Sequence, residues 1–378
     1  MTKPLFVLTE RDLAKLSVMM LLAVIFFGLA GLMIMTLLQW ITRQSYAQDA
    51  IDKHGISRVS ASRLGGATIF ASWLGLLVAG YFSDYFGDAS GGPSGPYWID
   101  WLAVGCCGFL GLVEDLRNNY LSPRFRLYAE FGIFAVTIAV WPSLIPVDLG
   151  IPGLDVLMGL PLVGWLLTVI FCVGFINSIN MADGANGLMA GVMTIAFGLF
   201  YVSTGEFVYA AMMTSCAVFT IFNVISGRLF LGDTGAYGLG ASLAISGLYL
   251  FYDDVFSAAF LACLFAYPCI DFIMTLARRY RAGRSIFLPD NDHLHNRIHY
   301  YFQRWLPSKT LANSMTGGLV VASSSGLTLI GYIYQWWPVT SSQWAAVFGV
   351  QCLAYGLAFY LSGLGRPVSQ HVVNVDPI

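Results

Sequence analysis

Charged residues are scarce in this chain of 378 residues: Asp, Glu, Lys and Arg together make up 11%, against about 25% in soluble domains. Hydrophobic residues make up 57%. The shortage of charge excludes an ordinary soluble enzyme and a disordered chain. The formal net charge is −2, so the chain lacks the basic excess typical of nucleic-acid binding, and we expect no nucleic-acid partner.

Paired cysteines are also lacking. The number of cysteines is seven, no two of them have Cys-x-x-Cys spacing, and all lie in apolar runs. This usage is typical of small buried hydrophobic residues. It excludes a secreted disulfide scaffold and predicts neither a disulfide nor a cysteine metal site.

Long apolar runs are abundant. A membrane helix needs about 20 mostly apolar residues, and the sequence contains eleven such candidates. They cover approximately 16–41, 64–82, 98–113, 127–146, 160–177, 185–203, 207–225, 235–252, 255–277, 314–335 and 342–364. The predicted fold class is therefore an all-α, polytopic integral membrane protein, with residues 1–378 forming a single membrane-embedded domain.

The distribution of positive charge predicts the orientation. Of the 19 Lys and Arg residues, all but Lys3, Arg11 and Lys15 lie in one alternate set of loops and the carboxyl-terminal tail. Positive residues stay on the cytoplasmic side of a membrane. We therefore expect the amino terminus outside and the carboxyl terminus in the cytoplasm. The first span has no cleavage signal and is interpreted as an anchor.

Polar residues able to do chemistry cluster on that same side, although the orientation rests on Lys and Arg alone. We therefore expect the active site to be cytoplasmic and built from the loops at 42–63, 114–126, 178–184, 226–234 and 278–313.

Two of the clusters carry carboxylate and amide groups that could take part in binding or catalysis. Glu114 and Asp115 are adjacent carboxylates that can bind a hard cation or act as a base, or they form a solvated helix end. The segment Asn177–Leu188 reads NSINMADGANGL. Its amides, carboxylate and glycines indicate a binding loop, since a simple connector needs only one or two turn formers.

Two further clusters suggest phosphate chemistry. Asp233 follows Gly232 at a helix start, where it either caps the helix or presents its carboxylate to a metal. Residues 278–305 combine arginines with His293, His295 and His299. Such a segment favours anion binding, although anionic lipid head groups would explain its arginines equally well. Residues 297–305 predict an interfacial amphipathic helix.

The four clusters, in this order, carry a family resemblance that runs from about Arg63 to Arg297. Its most specific motifs are Asn-x-x-Asn-x-x-Asp-Gly-x-Asn-Gly-Leu at 177–188, Phe-Leu-Gly-Asp-Thr-Gly-Ala at 230–236 and Asp-x-x-His-Leu-His-x-Arg at 290–297. The chain resembles the polyprenyl-phosphate N-acetylhexosamine-1-phosphate transferases (glycosyltransferase family 4). Its short His-Leu-His is similar to the branch that starts O-antigen, enterobacterial common antigen or teichoic-acid synthesis. The resemblance implies a multi-pass enzyme of the bacterial inner membrane.

The resemblance also implies the reaction and its partners. A polyprenyl phosphate, such as undecaprenyl phosphate, attacks the β-phosphate of a UDP-N-acetylhexosamine, and UMP leaves. Mg²⁺ is the implied cofactor, with Mn²⁺ as a substitute. Asp115 is implied as a base or as a nucleophile, although the lipid phosphate is already ionised near neutral pH, which favours a positioning role.

The resemblance also implies the site residues. The implied catalytic residues are Glu114, Asp115, His293, His295 and Arg297. The implied substrate-binding residues are Arg63, Arg126, Asn177, Asn180, Asp183 and Asn186. The implied metal ligands are Asp233 and Asp115. Glu114 departs from the family pattern, which has Asp there.

Other readings stay open at this point. Within the family, the alternative is a phospho-N-acetylmuramoyl-pentapeptide transferase. From another class, it is a transporter of nucleotide sugars or lipid-linked sugars, for which Asp271 is the best placed acid; we expect Asp271 to pair with Arg278 or Arg279 instead. Apolar span faces serve the lipid bilayer or a second protomer equally well, so a homodimer is also open.

Overall fold

The computed structural model describes residues 9–42, 62–82, 98–117, 120–285 and 291–364. Within these ranges the chain forms fifteen α-helices and one short 3-10 helix, with a single isolated β-bridge between Ser62 and Leu229. In chain order the α-helices are α1 (Glu10–Thr42), α2 (Gly65–Tyr81), α3 (Trp98–Leu116), α4 (Pro123–Val140), α5 (Pro152–Met158), α6 (Pro161–Ala182), α7 (Leu188–Thr204), α8 (Phe207–Ser226), α9 (Gly232–Tyr252), α10 (Ala258–Leu264), α11 (Ala266–Arg281), α12 (Leu294–Trp305), α13 (Lys309–Ser323), α14 (Ser325–Ile333) and α15 (Trp344–Leu364).

Each of the eleven predicted spans overlaps one helix or one bent pair of helices. Among the described residues, four helices (α1, α6, α8 and α15) are long and apolar enough to cross a membrane, and six spans result when the pairs α10–α11 and α13–α14 each count as one. The all-helical membrane fold is thus supported, while the number eleven and the orientation stay predictions. Most of the predicted loop 42–63 and the motif residue Asp290 lie outside the described residues.

The two bent pairs satisfy their freed backbone groups with side chains. The axis turns by 80° between α10 and α11 and by 46° between α13 and α14. The amide of Gln351 on α15 donates to the carbonyls of Cys263 (3.2 Å) and Ser324 (3.1 Å), and the Ser325 hydroxyl donates to the carbonyl of Leu264 (2.7 Å). Without water in the bilayer, broken helices need such internal partners.

Helix α9 is the centre of the bundle. All of its residues from Gly232 to Leu250 are buried, and it packs against α2, α3 and α6. Its approach to α3 is close because the contact is made of glycines: a methyl group at Gly111 would collide with the carbonyl of Asp233. Small residues let helix backbones meet in this way. The end of α3 therefore lies against the beginning of α9.

The start of α4 is fixed by its own sequence. The Ser122 hydroxyl accepts a hydrogen bond from the Phe125 amide (3.2 Å), and Pro123 occupies the first helical position. Both are preferred choices for a helix start. Arg126 is thereby held in the first turn of α4.

Candidate active site

The segment before α2 pairs with the segment before α9. The Ser62 amide donates to the carbonyl of Arg228 (3.0 Å), and the Phe230 amide donates to the carbonyl of Ser62 (2.8 Å). The Gly66 amide then donates to the carbonyl of Leu231 (2.7 Å). This pairing joins two loops that are more than 160 residues apart in sequence and carries Arg63 to the start of α9.

Asp115 is bound to the amino-terminal end of α9. One carboxylate oxygen accepts from the Asp233 amide (2.9 Å), and the other accepts from the amide (2.8 Å) and hydroxyl (2.7 Å) of Thr234. Gly232 permits this approach: its φ is 71°, and a side chain there would collide with the Arg63 carbonyl and the Asp115 carboxylate. A carboxylate at a helix start satisfies amides that lack partners within the helix. The cap of α9 is therefore Asp115 from α3.

Asp233 lies in the first turn of α9, and an arginine lies near each of its carboxylate oxygens. Its Oδ1 accepts from the Asn180 side chain (2.8 Å) and lies 3.5 Å from Nη2 of Arg63. Its Oδ2 lies 3.5 Å from Nη1 of Arg126. The Nε atom of Arg63 is also 3.7 Å from Asp115. Two arginines thus offset the negative charge of this pair of aspartates.

Glu114 approaches the same arginine from the neighbouring position on α3. Its Oε1 lies 3.9 Å from Nη1 of Arg126, and its Oε2 accepts from the Leu121 amide (3.1 Å). We call Glu114, Asp115, Asp183 and Asp233 the acidic cluster. Arg126 joins the Glu114 and Asp233 sides of this cluster.

Asp183 immediately follows α6 and interacts electrostatically with Asp233 and Asp115. The next residue, Gly184, lies against a histidine: a side chain there would collide with Nε2 of His295. Nδ1 of His295 is 2.8 Å from the hydroxyl of Tyr267, and the His293 ring stacks parallel to the His295 ring with centroids 5.3 Å apart. Both predicted histidines therefore lie beside the binding loop.

A buried carboxylate orients the second histidine. Nδ1 of His293 contacts a carboxylate oxygen of Asp271 directly, and the Tyr355 hydroxyl donates to the other oxygen (2.7 Å). The sequence suggested Arg278 or Arg279 as the partner of Asp271, whereas the structure places His293 and Tyr355 there. A carboxylate on one ring nitrogen fixes the orientation of an imidazole and leaves the other nitrogen available for a ligand.

Arg297 contacts α15 rather than the acidic cluster. Its Nε and Nη2 atoms donate to the carboxylate of Asp292, each at 2.8 Å, and Nη1 donates to the carbonyl of Phe359 (2.7 Å). The guanidinium also lies over the Phe359 ring. These contacts anchor α12 beside the two histidines.

Two predicted residues of the binding loop contact other polar side chains. The Asn177 amide donates to Oε2 of Glu130 on α4 (2.6 Å). Asn186 is buried: its backbone amide donates to Asn313 (3.1 Å), and its side chain donates to Ser314 (3.3 Å) on α13. Asn180 and Asp183 are thus the loop residues at the acidic cluster, while Asn177 and Asn186 flank it.

Several residues of the site were missed by sequence reasoning. A lone acid within an apolar span is a signal that would have pointed to Glu130. Thr234 lies within a motif that was recognised, but its contact with Asp115 depends on the packing of α3 against α9. Nothing in the sequence marks Tyr267, whose partner His295 is 28 residues away.

Two acids of the acidic cluster, Asp183 and Asp115, bind protons more readily than isolated carboxyls do. Burial, and then the charges of Asp233 and Asp115, raise the pKa of Asp183 to about 7, although Arg63 opposes the shift. Burial, followed by the charge of Asp233, also raises the pKa of Asp115, against the opposing effects of Arg63 and Thr234. A bound cation would reduce the electrostatic repulsion between carboxylates that are crowded in this way.

The donor set suits a hard divalent cation. Asp233, Asp183 and Asn180 offer carboxylate and amide oxygens, which Mg²⁺ prefers. Among the described residues, no group of three or more His, Cys, Asp or Glu side chains has the arrangement of a metal cage. Mg²⁺ is commonly held by one or two carboxylates together with substrate phosphates, and the acidic cluster fits that mode.

Comparison with known proteins identifies relatives of the chain. Residues 97–251 match the family model "Glycosyl transferase family 4". A phospho-N-acetylmuramoyl-pentapeptide-transferase of Synechococcus sp. (strain JA-2-3B'a(2-13)) is 32% identical over 248 residues, which cover 61% of this chain and 67% of the relative. An enzyme of the same name from Lactiplantibacillus plantarum is 31% identical over 247 residues, covering 62% and 75%.

A relative with a different name is similar over the same length. The "probable undecaprenyl-phosphate N-acetylglucosaminyl 1-phosphate transferase" of Bacillus subtilis (strain 168) is 27% identical over 249 residues, covering 62% of this chain and 65% of the relative. The matched region of the family model includes Asp115, the segment Asn177–Leu188 and Asp233. The chain belongs to glycosyl transferase family 4.

Proposed function

We propose that this protein transfers N-acetylhexosamine-1-phosphate from a UDP-sugar to polyprenyl phosphate, releasing UMP and starting a lipid-linked surface glycan. The observation that carries the proposal is the convergence of the acidic cluster, two arginines and two histidines, which come from loops far apart in sequence. Family membership supports the same reaction class. We further propose that the site faces the cytoplasm from the bacterial inner membrane, with exposed apolar side chains of α1 and α15 against lipid or a second protomer.

In the proposed reaction, an oxygen of the lipid phosphate attacks the β-phosphorus of the nucleotide sugar. A new phosphorus–oxygen bond forms, the bond from that phosphorus to the UMP oxygen breaks, and UMP leaves. In phosphoryl transfer the protein mainly positions groups and balances charge. Arg63 and Arg126 are the cations available for the phosphates. Asp115 acts by position, because its oxygens already accept hydrogen bonds from α9.

Asp233 is the proposed principal ligand of Mg²⁺, with Mn²⁺ as a substitute, and Asp183 and Asn180 lie beside it. When bound, the cation neutralises the diphosphate and the developing charge on the leaving group. The arginines beside the two oxygens of Asp233 balance its charge and hold the carboxylate in place before the substrate arrives.

The two histidines, which lie beside the binding loop, are proposed to hold the diphosphate. Asp271 orients His293, and Tyr267 orients His295. Arg297 contributes indirectly by securing α12 to Asp292 and Phe359. Asn186, buried against α13, fixes the turn that carries Asp183.

A second candidate reaction is the transfer of phospho-N-acetylmuramoyl-pentapeptide. It is favoured by the names of the relatives at 32% and 31% identity. The two reactions share the lipid acceptor and the release of UMP, so the arrangement of the acidic cluster suits both. The donor distinguishes them.

The deciding experiment measures UMP release by the purified protein with undecaprenyl phosphate and Mg²⁺. The donors are UDP-N-acetylglucosamine, UDP-N-acetylgalactosamine and UDP-N-acetylmuramoyl-pentapeptide, each with and without a chelator. Chelator-sensitive UMP release with a UDP-N-acetylhexosamine supports the proposal. Release with only the pentapeptide donor selects the second candidate, and uptake of a labelled sugar into vesicles without UMP indicates a transporter.

A further inference from the structure

Glu130 is a buried carboxyl group beneath the acidic cluster. It lies on α4 and is 0% exposed. Its Oε2 accepts from Asn177 at 2.6 Å, whereas its Oε1 is buried and has no hydrogen-bond partner among the residues that the structure describes. A buried acceptor without a donor is costly, so its retention in an apolar helix calls for an explanation.

Arg126 lies one turn earlier on the same helix. It precedes Glu130 by four residues, so the two side chains share one face of α4, and their charges interact. Within the described part of the chain, Nε of Arg126 is likewise buried without a hydrogen-bond partner. Its Nη1 has three distant contacts: the Tyr237 hydroxyl at 3.3 Å, Asp233 at 3.5 Å and Glu114 at 3.9 Å. The Nε–H donor of Arg126 and the Oε1 acceptor of Glu130 therefore lie on successive turns of α4, and neither forms a hydrogen bond with a described residue.

A divalent cation on Asp233 would be repelled by a guanidinium 3.5 Å from the same carboxylate. One of the two arginines at Asp233 must then give way. Arg63 is the more tightly held, since its side chain is 5% exposed and it lies in the paired segment before α2. The Arg126 side chain is 22% exposed, and the residue lies in the first turn of α4. Arg126 is thus the arginine with freedom to move.

We propose that Glu130 is a positioning residue for Arg126. When a divalent cation occupies Asp233, Oε1 of Glu130 accepts the Nε–H of Arg126 and draws the guanidinium away from Asp233. The Nη groups of Arg126 then face the substrate phosphates. This inference rests on the proposed cation site at Asp233, and it assigns to Glu130 a role that none of the sequence motifs contains.

The test measures the binding of Mn²⁺ to the purified full-length protein by electron paramagnetic resonance, in the presence of UDP. Glu130→Gln keeps an acceptor for Asn177 but removes the negative charge. We expect it to raise the Mn²⁺ concentration at half-saturation about tenfold, a typical size for coupling between neighbouring polar groups. Asp100→Asn is the matched control, because Asp100 is also a buried carboxyl with a hydrogen bond, from Tyr249.

Substitutions of Arg126 test the coupling itself. In an Arg126→Gln background, Glu130→Gln should no longer change the Mn²⁺ affinity, because the cation to be moved is absent. Arg126→Lys keeps the positive charge but has no Nε–H, so it should shift the half-saturation in the same direction as Glu130→Gln. This variant tests the idea even if Glu130→Gln fails to fold.

Three outcomes overturn the inference. The first is wild-type Mn²⁺ affinity in Glu130→Gln, with or without a lower melting temperature, which would assign Glu130 a purely structural role. The second is an equal effect of Glu130→Gln with and without Arg126. The third is a wild-type protein that binds no Mn²⁺, which removes the cation site at Asp233 together with this inference. Wild-type binding combined with unshifted variants leaves the proposed function standing.

Discussion

Asp115 and Asp233 are two residues of the same type with different surroundings. The oxygens of Asp115 accept three hydrogen bonds from α9, whereas Asp233 accepts one from Asn180 and faces two arginines. Asp233 is therefore the carboxylate with capacity for a cation. Asp115 holds the helix on which Asp233 lies.

The first prediction concerns Asp233→Asn. The amide keeps an oxygen for the Asn180 hydrogen bond but loses the charge that binds a cation, so we expect UMP release to fall at least about a hundredfold. The melting temperature in detergent should change little, because the Asn180 contact survives and the two arginines approach the side chain no closer than 3.5 Å. Wild-type turnover in this variant would remove Asp233 from the catalytic machinery.

The second prediction compares the two contacts of the Asp271 carboxylate, with His293 and with Tyr355. Asp271→Asn weakens the contact that orients His293, and we expect a fall of about tenfold or more in UMP release, as for other groups that orient a functional histidine. Tyr355→Phe removes only the hydrogen bond to the other oxygen of Asp271. It should have a smaller effect on turnover. Equal losses in both variants would mean that Asp271 acts only by packing α11 against α15.

At the scale of helices, the contact between α3 and α9 determines where the acidic cluster forms. In Gly111→Ala the added methyl group would collide with the carbonyl of Asp233, so we expect a loss of about 1–3 kcal/mol in unfolding free energy together with lower UMP release. Gly105 lies on the same helix, and a methyl group added there would meet no atom within 4 Å. Gly105→Ala is therefore the control and should be at least as stable as wild type. Equal behaviour of the two variants would contradict the close approach.

The helices themselves were largely predictable from sequence, because a long apolar run is what a helix within the lipid bilayer requires. Each predicted span overlaps a helix or a bent pair. The bends were not predicted, since the residue that satisfies the carbonyls freed at both breaks, Gln351, lies on a different helix. Local composition carries no record of such a distant partner.

The site was predictable where motifs concentrate polar residues and not where tertiary packing assigns partners. The motifs contain Asp115, Asn180, Asp183 and Asp233, which the structure brings together. The pairing of Asp271 with His293 joins residues 22 apart, and the position of Arg297 against α15 depends on a helix 62 residues away. Sequence spacing alone could not distinguish a phosphate ligand from this structural anchor.

At the scale of the whole molecule, crowding of acids makes stability depend on pH. The pKa of Asp183, about 7, lies above its ordinary value of 3.8. Its contribution to stability is therefore complete below the ordinary value and is lost as the pH rises through about 7. In the presence of a chelator, we expect the melting temperature to be lower at pH 8 than at pH 6, and Mg²⁺ to restore more of it at pH 8.

Two variants test this pH dependence. Asp183→Asn removes the group that must lose its proton, so the difference in melting temperature between pH 6 and pH 8 should shrink. Asp254→Asn changes an exposed acid near the end of α9 remote from Gly232 and should leave the difference unchanged. An undiminished difference in Asp183→Asn would exclude this residue as its source.

The distribution of positive charge predicts the orientation of the whole molecule. Because all but three of the 19 Lys and Arg residues fall on one side of the predicted spans, that side should be cytoplasmic. Asp253, after α9, and Gly283, after α11, are exposed, and the predicted topology puts them on opposite sides of the membrane. In a background with the exposed Cys106 replaced by serine, Asp253→Cys should react with a membrane-impermeant maleimide on intact cells. Gly283→Cys should react only after the cells are permeabilised. Since the acidic cluster and both histidines lie on the Gly283 side of the predicted topology, the reverse labelling pattern would place the site outside the cell, where no nucleotide sugar is supplied.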